Sequence, residues 1–215
     1  MNKLLTKLSD GLFPELKTAD EIWVAVALIN SAGLKFIQDK LPTDCIQNYL
    51  IGINLPTEPK ALWSLFEGQL KSDLKARLYT DKETFHPKVY LFRKGNNYKG
   101  FIGSANCTNG GLYNNVELGV CVDEQETCLQ IKNWFDTLTK VAKPITKKFL
   151  LKYQEDYSAR RDKRKEDERT AEREKRELNE EYETTLTLTA GCPFTILVLH
   201  GEIRYNAFQT SDFNF

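Results

Sequence analysis

Residues 22–29 read Ile-Trp-Val-Ala-Val-Ala-Leu-Ile, eight apolar residues in a row. The run is far too short to cross a membrane and shows no polar alternation, so it suits a strand covered on both faces. A strand of that kind needs helices packed above and below it, which commits the chain to an α/β architecture. The residues that follow agree. Asn30, Ser31, Ala32 and Gly33 read as a strand-to-helix turn, and residues 34–41 continue with helical spacing.

The alternation then repeats. Residues 49–53 form a second short buried strand, and residues 61–70 carry a helical stripe of Leu62, Leu65, Phe66 and Leu70. Further strands are expected at 76–79, 89–92, 100–102 and 116–122, with a turn at Gly95, Asn96 and Asn97. Residues 129–138 carry a second helical stripe. Strands mixed with helices in this order predict an α/β sandwich with a mixed central sheet, placed at residues 1–145 with Pro144 as its boundary.

A different kind of sequence follows. Of the 24 residues 160–183, nine are basic and ten acidic, with no proline or glycine. Helix formers dominate, and Glu172 with Arg176 and Asp156 with Arg160 have i,i+4 spacing. A long solvated helix is expected over residues 146–185. Only Ala159 and Ala171 are apolar between Tyr157 and Leu178, too few for a coiled-coil seam. Residues 186–215 return to strand-like composition and are expected to form a small C-terminal β segment.

Charge is balanced, with 30 basic and 30 acidic side chains. An anionic polymer would therefore have to be held by a local basic patch. The five cysteines, Cys45, Cys107, Cys121, Cys128 and Cys192, contain no CxxC pair and fit neither a zinc site nor a disulfide framework. They read as small apolar residues of a reducing compartment. No signal-like or membrane-spanning run is visible, so a cytoplasmic protein that makes no membrane contact is expected.

The chemistry concentrates between His86 and Val120. His86 and Lys88 are two apart, a spacing that puts both on one face of a strand. An imidazole beside an ammonium group suits an anion. Gly103, Ser104, Ala105 and Asn106 follow an apolar strand; the small residues allow backbone to approach a ligand, and Ser104 and Asn106 share a face. Glu117 lies in the next expected strand, where a carboxylate can orient an imidazole. Singly, each has an ordinary reading as a chance HxK, a common turn or a solvated carboxylate.

In order, they resemble the signature of the phospholipase D superfamily: His86-Pro87-Lys88, then Gly103-Ser104-Ala105-Asn106, then Glu117. The wording GSANCTNGGL and NNVELGV is similar to the bacterial, nuclease-like branch, and the resemblance covers residues 15–140. One position departs: Arg93 stands where many members have an aspartate.

The resemblance implies a metal-independent phosphodiesterase that needs no cofactor, working through a phosphohistidine, with nucleic acid as substrate and a role in bacterial defence or restriction. Lys88 and Asn106 would hold phosphate oxygens, Ser104 would add a hydrogen bond, and Glu117 would fix an imidazole. Such a scheme needs two histidines. This chain has two in all, and His200 is followed by Glu202 where lysine would be required. His200 reads as structural, so a homodimer sharing one active site is expected. Residues 146–215 would be natural docking elements for a helicase, another ATPase or some other protein. The rival expectations are a non-catalytic scaffold of the same fold and a phospholipase.

Overall fold

The computed structural model describes residues 3–190, 194–199 and 202–207. It divides into two compact units, Met1–Arg160 and Arg161–Phe215.

The first unit is built on an eight-stranded mixed sheet. Its elements in chain order are β1 (Lys3–Leu5), α1 (Leu8–Leu16), β2 (Glu21–Val26), α2 (Ser31–Gln38), β3 (Ile46–Gly52), α3 (Pro59–Gly68) and β4 (Leu74–Tyr79). There follow β5 (Lys88–Lys94), β6 (Asn97–Gly103), a wide helical turn at Gly110–Asn114, β7 (Gly119–Val122), α4 (Gln125–Val141), β8 (Lys143–Pro144) and α5 (Lys147–Ala190). The strand order is β1-β7-β6-β5-β2-β3-β4-β8. Strands β2, β3 and β4 run parallel through the crossovers α2 and α3, and the remaining neighbours are antiparallel.

The period-two pleat sorts β2 between two cores. Ile22, Val24 and Val26 face the layer that holds α1, α2, α3 and the start of α5; Trp23 and Ala25 face α4. Burial on both sides explains why this strand reads as an unbroken apolar run. Each fully buried Leu or Ile contributes roughly 1.5–3 kcal/mol of transfer free energy. The expected α/β sandwich with a mixed sheet is the observed one.

Several expectations are corrected in detail. The strand of residues 22–29 ends at Val26. The next three residues leave the ladder because other partners take their amides: Ala27 N–H donates to Pro87 O, Leu28 N–H to Asn106 Oδ1, and Ile29 N–H to Thr57 Oγ1. Strand β7 starts at Gly119, three residues later than expected, since the Leu118 N–H donates to a side chain, Ser104 Oγ. Helix α1 was not visible in the sequence, because Gly11 and Pro14 lie inside it. The first compact unit also extends past residue 145. Leu150 and Tyr153 belong to its core, and the Tyr153 hydroxyl donates to Thr57 O at 2.9 Å.

The second unit contains the remainder of α5 and the antiparallel pair β9 (Phe194–Leu199) and β10 (Glu202–Ala207). Along α5, Arg173 pairs with Glu177, and Arg176 with Glu180 rather than with Glu172, one turn back. His200 and Cys192 lie outside the described residues.

Candidate active site

Four strand ends meet at one edge of the sheet. Val26, the last residue of β2, pairs with Lys88, the first of β5. Gly103, the last of β6, pairs with Gly119, the first of β7. Here the sheet changes from parallel (β2 with β3) to antiparallel (β2 with β5). In open α/β sheets, ligands bind outside the carboxyl ends of strands at such a change of direction. All five residues singled out in the sequence, His86, Lys88, Ser104, Asn106 and Glu117, are on these strand ends or within two residues of them, except Asn106, which is three beyond Gly103.

His86 sits in the segment leading into β5 and is exposed, whereas Lys88 is 7% exposed. The Lys88 ammonium lies 2.8 Å from His86 Nδ1 and donates to the His86 carbonyl at 3.0 Å. The HxK spacing thus does bring cation and imidazole together, although only the lysine is in the strand. Burial lowers the Lys88 pKa from its ordinary value, and the negative charge of Glu117 works against that shift.

Asn106 is held by its carbonyl end, since its Oδ1 accepts from Leu28 N–H at 3.1 Å. That leaves the amide NH2 as the end able to donate to a ligand. The loop carrying it is pinned from behind. Asn30 N–H donates to Cys107 O, and the Tyr90 hydroxyl donates to Ala105 O at 3.1 Å. The approach is so close that a Cβ on Gly33 would stand 2.1 Å from Cys107 O. Only glycine lets α2 and this loop meet. Burial pushes the Tyr90 phenol well above its usual range and raises the Cys107 thiol as well, so both act as neutral structural groups.

Glu117 lies in the segment entering β7, not in the strand itself. Its carboxylate accepts from the Ser104 hydroxyl and, at 3.1 Å, from Asn115 Nδ2. Ser104 also accepts the Leu118 N–H and donates its own amide to Leu118 O. Within one chain Ser104 therefore positions Glu117, and Glu117 is bonded to Ser104 and Asn115 rather than to the His86 imidazole. Asn115 is a site residue that the sequence pattern did not single out. The Asn114-Asn115 pair just ahead of Glu117 was the available signal.

Arg93 is remote from this edge. It pairs with Glu21 at 3.1 Å and with Asp20 at 3.8 Å, at the opposite end of β2. The four cysteines among the described residues, Cys45, Cys107, Cys121 and Cys128, are free thiols. Among the described residues no group of three or more His, Cys, Asp or Glu side chains is placed to hold a metal ion.

Comparison with known proteins agrees with this fold. The family model described as the PLD-like domain of cardiolipin synthase matches residues 12–139. Among solved structures, NucT from Helicobacter pylori superposes with a TM-score of 0.54 at 16% identity, over 67% of this chain and 99% of that one. Nuc from Salmonella typhimurium, a phospholipase D family member, gives 0.53 at 12% identity, again over 67% and 99%. The phosphatidylserine synthase of Haemophilus influenzae gives 0.51 at 12% identity, over 67% of this chain and 39% of the synthase. No curated protein sequence matches the chain. With the family model spanning more than half of its residues, the chain belongs to the phospholipase D-like family.

Proposed function

We propose that the protein is a phosphodiesterase that hydrolyses nucleic acid, with His86 as its nucleophile. The observation that carries this reading is the convergence of His86, Lys88, Asn106 and the Ser104–Glu117 pair on one sheet edge. A His86 ring nitrogen attacks phosphorus, the bond to the leaving oxygen breaks, and that oxygen takes a proton from a second histidine. Water then attacks the phosphohistidine while the second histidine accepts its proton, the P–N bond breaks, and His86 is regenerated. Lys88 and the Asn106 amide balance the charge that builds on the non-bridging oxygens. Those donors supply the stabilisation a metal would otherwise give, so activity is expected to survive a chelator.

The second histidine comes from another copy of the chain. His86 is the single histidine among the described residues. The surface beside it supports such an association: Val116 and Leu118, on either side of Glu117, are 103% and 56% exposed. Uncovered apolar side chains at the mouth of a half-complete site fit a two-fold interface. The site is open at the surface, with His86 and Ser104 both exposed, which favours an extended polymer over a lipid drawn into an apolar tunnel. No helix among the described residues is long and apolar enough to cross a membrane. A place in bacterial defence, with a helicase or other ATPase docked on residues 146–215, is the biological setting we infer for such a nuclease.

Bis-p-nitrophenyl phosphate, DNA, RNA and phosphatidylcholine should be assayed side by side in EDTA, with solution mass measured on the same sample. The expected outcome is chelator-resistant cleavage of the phosphodiester and of nucleic acid by a dimer, reduced on the order of a thousandfold or more in His86→Ala. A His86→Ala chain that cleaves as well as the parent would leave only the scaffold reading.

A further inference from the structure

On the face of the sheet covered by α1 and α2, aromatic rings and lysines follow one another from the turn beside the site toward the opposite end of the sheet. Tyr113, in the wide turn that leads toward Asn115 and Glu117, meets Phe36 of α2 edge-on, with ring centroids 5.2 Å apart at 88°. Lys40, just past α2, has its ammonium 4.0 Å from the Phe36 centroid and 5.8 Å from that of Phe13 on α1. Lys17 covers Phe13 at 4.2 Å. Tyr113, Lys40, Phe13 and Lys17, linked beneath by the buried Phe36, therefore form a track leading away from the loop that carries Asn106.

Two features of this track suit a ligand that carries both rings and negative charge. Phe13 and Tyr113 are 40% and 44% exposed, although both carry large rings. The lysines also lack counter-ions. Lys35, Lys99 and Lys132 each hold a carboxylate, but among the described residues Lys17 and Lys40 have none within ion-pair distance. Lys40 donates to the Phe36 carbonyl at 3.2 Å, which leaves its charge unneutralised. Of the nearby acidic groups, Glu15 of α1 is held by Lys99, Asp39 beside Lys40 is held by Lys35, and Asp10 accepts from the Ser9 hydroxyl. Partly exposed rings beside ammonium groups that hold no carboxylate suit one ligand chemistry, namely unpaired bases joined by phosphates.

We propose that this track binds single-stranded nucleic acid on its way to the active site, with bases stacking on Tyr113 and Phe13 and phosphates held by Lys40 and Lys17. The proposal rests on the nuclease reading for its biological sense, but its test does not depend on cleavage. The whole 215-residue chain carrying His86→Ala is titrated with a fluorescent single strand of DNA of about 20 nucleotides, long enough to cover more than one binding-site length, with the same sequence as RNA, and with the DNA duplex. The double substitution Phe13→Ala with Tyr113→Ala should weaken single-strand binding on the order of tenfold per ring and duplex binding much less. Tyr113→Phe should retain affinity, because the ring face is kept. Trp134→Ala, on α4 across the sheet, should leave it unchanged. Lys17→Gln with Lys40→Gln should flatten the salt dependence, at about 0.7 in log K against log salt for each lysine–phosphate pairing removed. Unchanged single-strand affinity in the double variant overturns the proposal, as does an equal weakening for duplex. Aromatic-dependent binding to phosphatidylglycerol vesicles with oligonucleotide affinity intact overturns it in favour of a lipid surface. Failure of the parent chain to hydrolyse bis-p-nitrophenyl phosphate sinks the nuclease reading and leaves this test standing.

Discussion

Lys88, proposed to hold phosphate, works against the fold that carries it. It is 7% exposed and belongs to a strand whose other residues are mostly apolar, and burial lowers its pKa. Between that lowered value and the ordinary 10.5, the unfolded chain holds this proton and the folded chain does not. Stability from this group therefore rises as pH rises through that window, and at neutral pH its charge opposes folding. Lys88→Met is expected to lower phosphodiester cleavage on the order of a hundredfold or more while leaving the protein at least as stable near neutral pH. Urea unfolding followed across pH should show that stability advantage shrinking above the lowered pKa. Glu117 supplies the opposing influence. In Glu117→Gln the ammonium loses its nearby negative charge, so the alkaline limb of the rate profile should move to lower pH. A limb that stays in place would show that the carboxylate does not act on Lys88. The types and spacing of His86, Lys88, Ser104, Asn106 and Glu117 were legible in the sequence, because their order along the chain follows the strands. The partner of Glu117 was not. The bond from Ser104 crosses thirteen residues and depends on β6 and β7 lying side by side.

At the scale of elements, the site depends on how closely α2 approaches the loop after β6. Asn30 caps α2 through its side chain, which accepts from Gly33 N–H at 2.8 Å, while its own amide donates to Cys107 O. One residue therefore starts the helix and ties it to the loop that presents Asn106. Gly33→Ala adds a methyl group where a Cβ would stand 2.1 Å from backbone oxygen, so the loop or the helix must shift. A stability loss of about 1–3 kcal/mol is expected in thermal or denaturant unfolding. Cleavage should fall further than that loss alone explains, since Asn106 moves with the loop. A variant as active as the parent would show that the loop tolerates the shift. Strand and helix periodicity revealed β2 through β7 and the helices α2, α3 and α4. Helix α1 stayed hidden because Gly11 and Pro14 break the local preference for helix. Its Leu8, Leu12 and Leu16 are held by burial in the core, a tertiary effect that propensity does not report.

For the whole molecule, the question is how a site with one described histidine would complete the proposed two-histidine cycle. If two copies share one site, mixed dimers of parent and His86→Ala chains are inactive. Activity after co-refolding should then follow the square of the parent fraction, with the total chain concentration held constant. A linear dependence would mean that each chain works alone. The same reasoning gives Val116 and Leu118 a purpose, because Val116→Lys with Leu118→Lys should shift the solution mass toward the monomer and remove activity with it.

By itself, the sequence determined the α/β class and the buried central strand, and singled out the groups proposed to bind phosphate. Those follow from local spacing: the strand and helix periods, and pairs set two apart on extended backbone. The tertiary structure decided which strand ends converge, that Ser104 and Asn115 rather than His86 hold Glu117 within one chain, and that Leu150 and Tyr153 of α5 belong to the core. It also brought Tyr113, the buried Phe36 and Phe13 together with Lys17 and Lys40. Neighbours that are distant in sequence leave no period in the chain. They come from burying several elements against one sheet, and become visible only when that sheet is formed.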